Sequence, residues 1–384
     1  MKQTSLATHT RRCLAAALGM LALLTAGCTH RNADTDDTTP ATGQQRTQKK
    51  TSAAKKKKTL SLLPQASGTP YEMLVVMGAE QWERPMGRAL YDVLDTDLPG
   101  VAQPERQFRI TRIDPSSYGN MYKVFRNIIK VDIQNIYSVA KFKFARDVYA
   151  RGQMIMTLQA PDEASMETLL RDSGSQLLDF FNKAELNREI HFLENKHNPV
   201  AKEQVMKQFG CEVWVPVELN KYKKGKDFFW AGTNKGSKDM NIVIYTYPYT
   251  DPNTFTLDYY MHKRDSVMKA NIPGGPEGSY MTTQHEFVDV ADATVKGEYA
   301  QKARGLWRVQ GDRMGGPFVA QSRVDVANNR VVVIEGFVYA PESLKRNLIR
   351  KLEAVLYTLQ LPNEQSADDF TYGLEEITIL PGQD

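Results

Sequence analysis

The sequence predicts an α+β protein in which helices pack on antiparallel sheets. Two patterns support this class. Short apolar or alternating runs, such as 71–77 and 331–339, are typical of strands, whereas apolar residues spaced three or four apart, as in 344–359, are typical of helices. The hydrophobic fraction of 41% is sufficient for a packed core.

The first half of the folded region is expected to contain five strands and two helices. The strand-like runs are 71–77, 107–114, 126–133, 141–149 and 153–160. The last two runs flank Arg151-Gly152 and predict a hairpin. Met86, Leu90 and Leu94 predict a helix over 82–94, and Pro161 opens a second helix that extends to about 196, with a break suspected at Gly174.

The second half is expected to follow a similar plan. Its strand-like runs are 242–247, 279–290, 306–310, 318–326 and 331–339. A helix is predicted over 254–270, and a last one after Pro341, with the apolar stripe Leu344, Leu348, Leu352, Val355, Leu356 and Leu359. Ala160-Pro161 and Ala340-Pro341 lie 180 residues apart, and both precede a predicted helix. This spacing suggests two repeated α+β halves.

The first 27 residues are typical of a secretory signal peptide. Lys2, Arg11 and Arg12 precede a 12-residue apolar run at 13–24, which is shorter than the ~20 residues of a membrane-spanning helix. The string LLTAGC that ends at Cys28 resembles the lipobox of bacterial lipoproteins, whose cysteine is linked to diacylglycerol and acylated, for example with palmitate. The resemblance implies a lipid anchor at Cys28. The alternative is an ordinary signal peptide with an incidental cysteine.

Charge is distributed unevenly along the chain. The net charge is +4, but residues 1–60 hold 11 basic and 3 acidic groups, which leaves 38 basic and 42 acidic groups for the rest. A basic nucleic-acid-binding domain is therefore excluded as the default. The lysine run at 55–58 predicts either contact with anionic lipid headgroups or a solvated spacer.

These features predict a domain organisation and a location. The predicted segments are a signal peptide at 1–27, a polar tether at 28–66, α+β halves at 67–200 and 201–365, and a tail at 366–384. The location expected is the cell envelope, on the periplasmic face or the cell surface, with the outer membrane favoured. Of the three cysteines only Cys211 would remain unmodified in the folded part, and it is interpreted as a small buried side chain.

Aromatic residues indicate a candidate binding surface. Ten of the 36 aromatic residues fall within 222–260. Tyr245, Tyr247 and Tyr249 alternate, so on a strand they share one face, where rings could stack on a glycan or a peptide. The alternative is a sheet face that a helix covers. The candidate surface comprises Trp230, Tyr245, Tyr247, Tyr249, Trp307 and Arg308.

Catalytic and cofactor signatures are scarce. The sequence contains no phosphate-binding loop, GxSxG elbow, HExxH motif or CxxC pair, and neither a cofactor nor a metal is predicted. His262, Asp265 and Ser266 share a helical face, but the neighbouring Asp and Ser suit a triad poorly. A non-enzymatic binding or assembly module is favoured. The alternative is an envelope hydrolase acting on glycan, peptide or ester through His262, His285 or a carboxylate pair.

Several long strings resemble one known family. They are KDFFWAGTN (226–234), IYTYPYTD (244–251), HKRDSVMKANIPG (262–274) and GLWRVQGDRMGGPFV (305–319), with YEMLVVM and GRALYDVLDTDLPG upstream. Over roughly 60–365 they look like the domain of unknown function 4837, a family of Bacteroidetes envelope lipoproteins. The resemblance implies an exported, lipid-anchored protein with no established activity and no known catalytic residue. Its expected partners are the membrane, through Cys28, and an envelope protein or glycan, with no nucleic acid.

Overall fold

The computed structural model describes residues 62–233 and 235–364, all within one compact unit. These residues form seven α-helices and twelve strands, which confirms the α+β class. The predicted signal peptide, Cys28, most of the tether and the tail 366–384 lie outside the described residues.

Five strands form the first sheet, in the order β2-β1-β3-β5-β4. They are β1 (Glu72–Val76), β2 (Arg109–Ile113), β3 (Asn127–Ile133), β4 (Lys141–Arg146) and β5 (Met154–Ala160). The predicted hairpin is confirmed, because β4 pairs antiparallel with β5. The pairs β1–β2, β1–β3 and β3–β5 are parallel, so the expectation of an antiparallel sheet is wrong for this half.

Helices between the strands explain the parallel pairing. The segment from β1 to β2 contains α1 (Ala79–Glu83) and α2 (Pro85–Leu94), and the short helix α3 (Asn120–Lys123) precedes β3. A helical crossover carries the chain back to the end of the sheet where the previous strand began, so that the next strand runs in the same direction. The continuous apolar run of β1 fits a strand that is buried on both faces.

A single helix of 33 residues, α4 (Glu163–Asn195), belongs to the cores of both halves. The Asp162 carboxylate caps its start by accepting from Ser165 N at 2.7 Å. The helix continues unbroken through Gly174, where a Cβ would lie 2.3 Å from Val93 Cγ2 of α2. Its beginning packs on the first sheet, while Leu186, Ile190 and Leu193 near its end pack against the second.

Seven strands form the second sheet, in the order β6-β7-β8-β12-β11-β10-β9, and every pairing is antiparallel as predicted. They are β6 (Lys221–Gly225), β7 (Phe228–Gly232), β8 (Asp239–Pro248), β9 (Tyr280–Val295), β10 (Glu298–Gln310), β11 (Gly315–Asp325) and β12 (Arg330–Tyr339). Strands β9 and β10 are longer than predicted. They meet at Lys296-Gly297, both with positive φ, as a two-residue hairpin turn requires.

Helices cover the second sheet unequally. They are α5 (Pro199–Phe209), α6 (Leu257–Asn271) and α7 (Arg346–Thr358). One face is covered by α5, α7 and the end of α4, and α6 packs on the other. Leu344 precedes α7 and is 73% exposed, so its place in the predicted stripe is wrong. The two sheets differ in strand order and direction, and the suggested repeat is not confirmed.

Two further properties of the described residues bear on function. No helix among them combines the length and apolar character that crossing a membrane would need. Within 62–233 and 235–364, no group of three or more His, Cys, Asp or Glu side chains is arranged to hold a metal ion.

Candidate functional site

The predicted aromatic surface is mostly a buried sheet face. Tyr245 and Tyr247 on β8 are 1% and 7% exposed, because α6 lies over them. Trp307 on β10 is equally buried, and its neighbour Arg308 is exposed on the opposite face of the sheet, as alternation along a strand requires. Tyr249 is half-buried against the ring of Phe255. The six candidate residues therefore do not form one open surface. For Tyr245 and Tyr247 the alternative interpretation is confirmed, because a helix covers their face of the sheet.

A buried ion pair fixes α6 on this face. Arg264 donates from Nε and Nη2 to the two carboxylate oxygens of Glu335 on β12, at 2.9 and 2.6 Å, and both side chains are fully buried. Its Nη1 donates to Thr283 Oγ1 at 2.8 Å. Burial opposes the charge of Arg264, but the facing carboxylate outweighs burial and raises the pKa of the guanidinium.

The residues of the hydrolase alternative meet on the outer side of α6. Asp265 Oδ1 accepts from the Thr283 backbone N and Oγ1 at 2.7 and 2.6 Å, and Oδ2 lies 2.7 Å from His285 Nε2. Burial raises the pKa of Asp265, but the hydrogen bonds from Thr283 and His285 outweigh it, so the net pKa is lowered. The ring of His262 lies 6.4 Å from that of His285. These groups do not line the cleft described next.

A cleft of about 430 Å³ opens where α6 ends at Asn271 and no longer covers the sheet. We call it the aromatic cleft. Its floor and walls are apolar side chains from β7, β9, β10 and β12 and from the segments after α6 and β10: Trp230, Ile272, Pro273, Met281, Trp307, Val309, Met314, Phe337 and Tyr339. Polar side chains stand at its rim: Lys223, Asp239, Asn241 and Asn271. Two predicted residues, Trp230 and Trp307, thus lie in one site.

Glycine allows the indole of Trp230 to lie across its own strand. Trp230 Nε1 donates to Asn241 Oδ1 at 3.0 Å. A Cβ at Gly232 would lie 2.4 Å from Trp230 Cζ2 and 2.6 Å from that same oxygen. Only a residue without a side chain at 232 leaves room for this ring. Gly232 therefore allows Trp230 to lie in the cleft wall.

Trp307 is locked into the cleft floor. Its Nε1 donates to the Val338 carbonyl oxygen at 3.2 Å, and a Cβ at the cross-strand Gly316 would lie 2.1 Å from that oxygen. The ring meets Phe337 edge-on at 5.6 Å and Tyr339 at 6.3 Å. Tilted and edge-on ring pairs at these distances are favourable, so they stabilise the packing of the floor.

The rim offers hydrogen-bond donors from Lys223 and Asn241. Lys223 is exposed, and its Nζ makes one bond, to the Asn271 carbonyl oxygen at 2.6 Å, which leaves two of its three N–H groups. Among the described residues, no acceptor faces Asn241 Nδ2. The Asp239 carboxylate, in contrast, accepts from Thr233 Oγ1 and Gly236 N, each at 2.8 Å. The cleft therefore suits an apolar group that carries an acceptor atom at its edge.

Several cleft residues were not predicted. Asn241, Phe337 and Tyr339 come together through the register of β8 and β12, which pairs Phe337 with Asn241 and Tyr339 with Asp239. The alternation of Phe337 and Tyr339 could have indicated that both rings lie on the same face of a strand. Met314 lies in the glycine-rich turn between β10 and β11.

Comparison with known proteins divides the chain in two. Residues 66–194 match a family described as "Domain of unknown function (DUF8532)", and residues 198–358 match "Domain of unknown function (DUF4837)". No curated protein matches the chain. A crystal structure from Bacteroides thetaiotaomicron VPI-5482 is similar at 12% identity and a TM-score of 0.18, over 39% of this chain and 44% of its own, so less than half of that protein is spanned. The resemblance expected from the sequence is confirmed over 198–358, the part of the chain that contains the aromatic cleft.

Proposed function

We propose that the protein is a lipid-anchored module of the cell envelope that takes an apolar group of a partner protein into the aromatic cleft. The supporting observation is the cleft itself, a volume of about 430 Å³ lined largely by aromatic and other apolar side chains. Apolar clefts of this size with a few placed polar groups are the usual form of binding sites. The module binds or assembles and does not itself perform chemistry.

The lining favours a protein partner over a glycan. Its walls are apolar and include Met281 and Met314, whose flexible thioether side chains adapt to varied apolar shapes. The one carboxylate at the rim, Asp239, is engaged by its own loop, whereas Lys223 and Asn241 can donate to a carbonyl or carboxylate. A side chain with its adjacent backbone carbonyl fits this arrangement.

The proposed anchor is Cys28. Thirty-three residues separate it from Leu62, where the described chain begins. The test is metabolic labelling with a clickable palmitate analogue. The full chain should carry the label and partition with membranes, and Cys28→Ser should lose both. A Cys28→Ser chain that is still labelled would refute the anchor.

Photo-crosslinking in intact cells tests the cleft. A photoreactive residue replaces Met314 inside the cleft, and in a matched control it replaces Arg308, which is exposed on the other face of the same sheet. We expect a discrete protein adduct from position 314 that is lost with Trp230→Ala. Equal adducts from both positions, or a glycan adduct from position 314, would contradict the proposed partner.

A further inference from the structure

Four strongly exposed apolar side chains mark one edge of the first sheet. Leu62 is 80% exposed, Met121 on α3 is 74%, and Val148 and Tyr149 in the β4–β5 turn are 42% and 39%. Helix α3 precedes β3 and the turn precedes β5, and these two strands run parallel. Both segments therefore lie at the edge where β3 and β5 begin.

Hydrogen bonds join the three segments into one surface. Arg151 N donates to the Pro64 carbonyl oxygen at 2.8 Å, and Ala66 N donates to the Arg151 carbonyl oxygen at 3.0 Å. The buried Gln153 side chain donates from Nε2 to the carbonyl oxygens of Lys123 and Phe125 and accepts from Tyr149 N through Oε1. We call this surface, formed by 62–67, 120–124 and 146–152, the entry face.

The entry face is cationic as well as apolar. Lys123 Nζ lies 5.9 Å from the Tyr149 ring centroid, and Arg146 and Arg151 are exposed. Asp147 is the one acidic residue in its three segments, and its Oδ1 already accepts from Gly152 N at 2.6 Å. Apolar side chains, a tyrosine and basic groups together are the composition that suits a membrane–water interface.

The chain from the proposed anchor arrives at this same face. Leu62 is both an exposed residue of the entry face and the first described residue of the chain after Cys28. The four lysines at 55–58 come four to seven residues earlier in the sequence. In the sequence, the segment that carries Cys28 thus joins the described chain at the entry face.

We propose that the entry face rests on the membrane to which the anchor attaches, with Leu62, Met121 and Tyr149 between the lipid headgroups. Lys123 and Arg151 then face the phosphates of anionic lipids. This inference rests on the lipid anchor of the proposed function. It adds that the module has one preferred orientation on the bilayer instead of rotating freely at the end of its tether.

Depth-dependent quenching tests the orientation with the full acylated protein. The protein is reconstituted into vesicles of phosphatidylethanolamine and phosphatidylglycerol, with a fluorophore on Met121→Cys or, as a control, on Ile136→Cys. Ile136 is 75% exposed in the β3–β4 loop at the opposite edge of the sheet, and the remaining thiol, Cys211, is buried. A lipid-borne quencher should quench the label at 121 several-fold more than the label at 136. Equal quenching, or stronger quenching at 136, overturns the proposal.

Two further variants separate the contributions. In the Met121→Cys background, Leu62→Ser with Tyr149→Ser should reduce quenching to the level of position 136, whereas Val139→Ser at the opposite edge should leave it unchanged. Vesicles of phosphatidylcholine alone should give weaker quenching, and equal quenching there overturns the role of the basic groups. Failure of the anchor is a distinct outcome, because the protein would then not float with the vesicles at all.

Discussion

The carboxylate of Glu105 caps the backbone of Lys345 across 240 residues of sequence. Its Oε1 and Oε2 accept from Lys345 N at 2.8 and 3.0 Å, and Oε2 also accepts from Arg346 N at 2.8 Å. Lys345 precedes the first turn of α7 and provides no capping side chain of its own. A buried carboxylate from the DUF8532 match thus satisfies free N–H groups of a helix in the DUF4837 match, at the positive end of its dipole.

Loss of this cap should destabilise the whole chain. Glu105→Ala leaves buried N–H groups of Lys345 and Arg346 without acceptors, and we expect the free energy of unfolding to fall by about 2 kcal/mol. Urea denaturation measures it. Glu83→Ala removes an exposed carboxylate 3.8 Å from Arg88 and should change stability by less than about 0.5 kcal/mol. Equal costs for the two variants would show that the contact is not a cap.

Removal of one partner of the Arg264–Glu335 pair should destabilise the protein strongly, whereas replacement of both partners by apolar residues should destabilise it much less. Arg264→Met leaves the Glu335 carboxylate buried without its partner, so we expect a loss of about 3–5 kcal/mol. The double variant Arg264→Met/Glu335→Met should recover most of that loss, because no charge remains buried. Thermal and urea unfolding of the three proteins give the comparison. A double variant no more stable than the single one would contradict the ion-pair account.

Stability in acid should depend on Asp265. Its folded-state pKa lies below the ordinary value of 3.8, because hydrogen bonds from Thr283 and His285 outweigh the effect of burial. A lowered carboxyl pKa contributes stability that is complete above the ordinary value and disappears as the pH falls through the folded-state value. Asp265→Asn should therefore be less stable at pH 7 and should show a shallower loss below about pH 4. Stability curves against pH that run parallel would contradict this role.

Cys211 should report on global unfolding. Burial raises the pKa of its thiol to about 12, so the reactive thiolate is scarce at neutral pH. In the chain with Cys28→Ser and without residues 1–27, Cys211 is the one thiol. We expect maleimide labelling to be at least about a hundredfold slower in the folded protein than in urea. Rapid labelling in native buffer would show that this part of the core opens locally.

The hydrophobic pattern of the sequence predicted the positions of many strands and helices but not whether neighbouring strands run parallel or antiparallel. Five of the seven strands of the second sheet were predicted, because these strands and the helix over Tyr245 and Tyr247 have distinct periods, whereas β6 and β7 were not predicted. The parallel pairing of the first sheet was missed, because a buried strand such as β1 reads the same in either direction. The sequence predicted α4 as one helix but did not show that it packs against both sheets. Its apolar face changes from the core of the first half to that of the second between Phe181 and Leu186.

The cleft could be predicted only in part. Trp230 and Trp307 were selected for their ring type, yet what makes them a site is the early end of α6 at Asn271 and the pairing of β8 with β12. The pairing joins residues that lie 82 to 100 positions apart in the sequence, which local patterns do not reveal. Gly232 and Gly316 were the local signal, because each makes room for an indole or its acceptor, but one sequence alone does not show what a glycine faces.

Accessibility of the cleft in living cells tests the central claim, which is that a partner fills it. Met314→Cys places a thiol in the cleft, and Val326→Cys places a control thiol at a position that is 84% exposed. Each is labelled with maleimide in intact cells and as purified protein. We predict that position 314 reacts several-fold more slowly in cells than when purified, whereas position 326 reacts alike in both. Equal reactivity of position 314 in the two settings would contradict occupancy of the cleft and with it the proposed binding function.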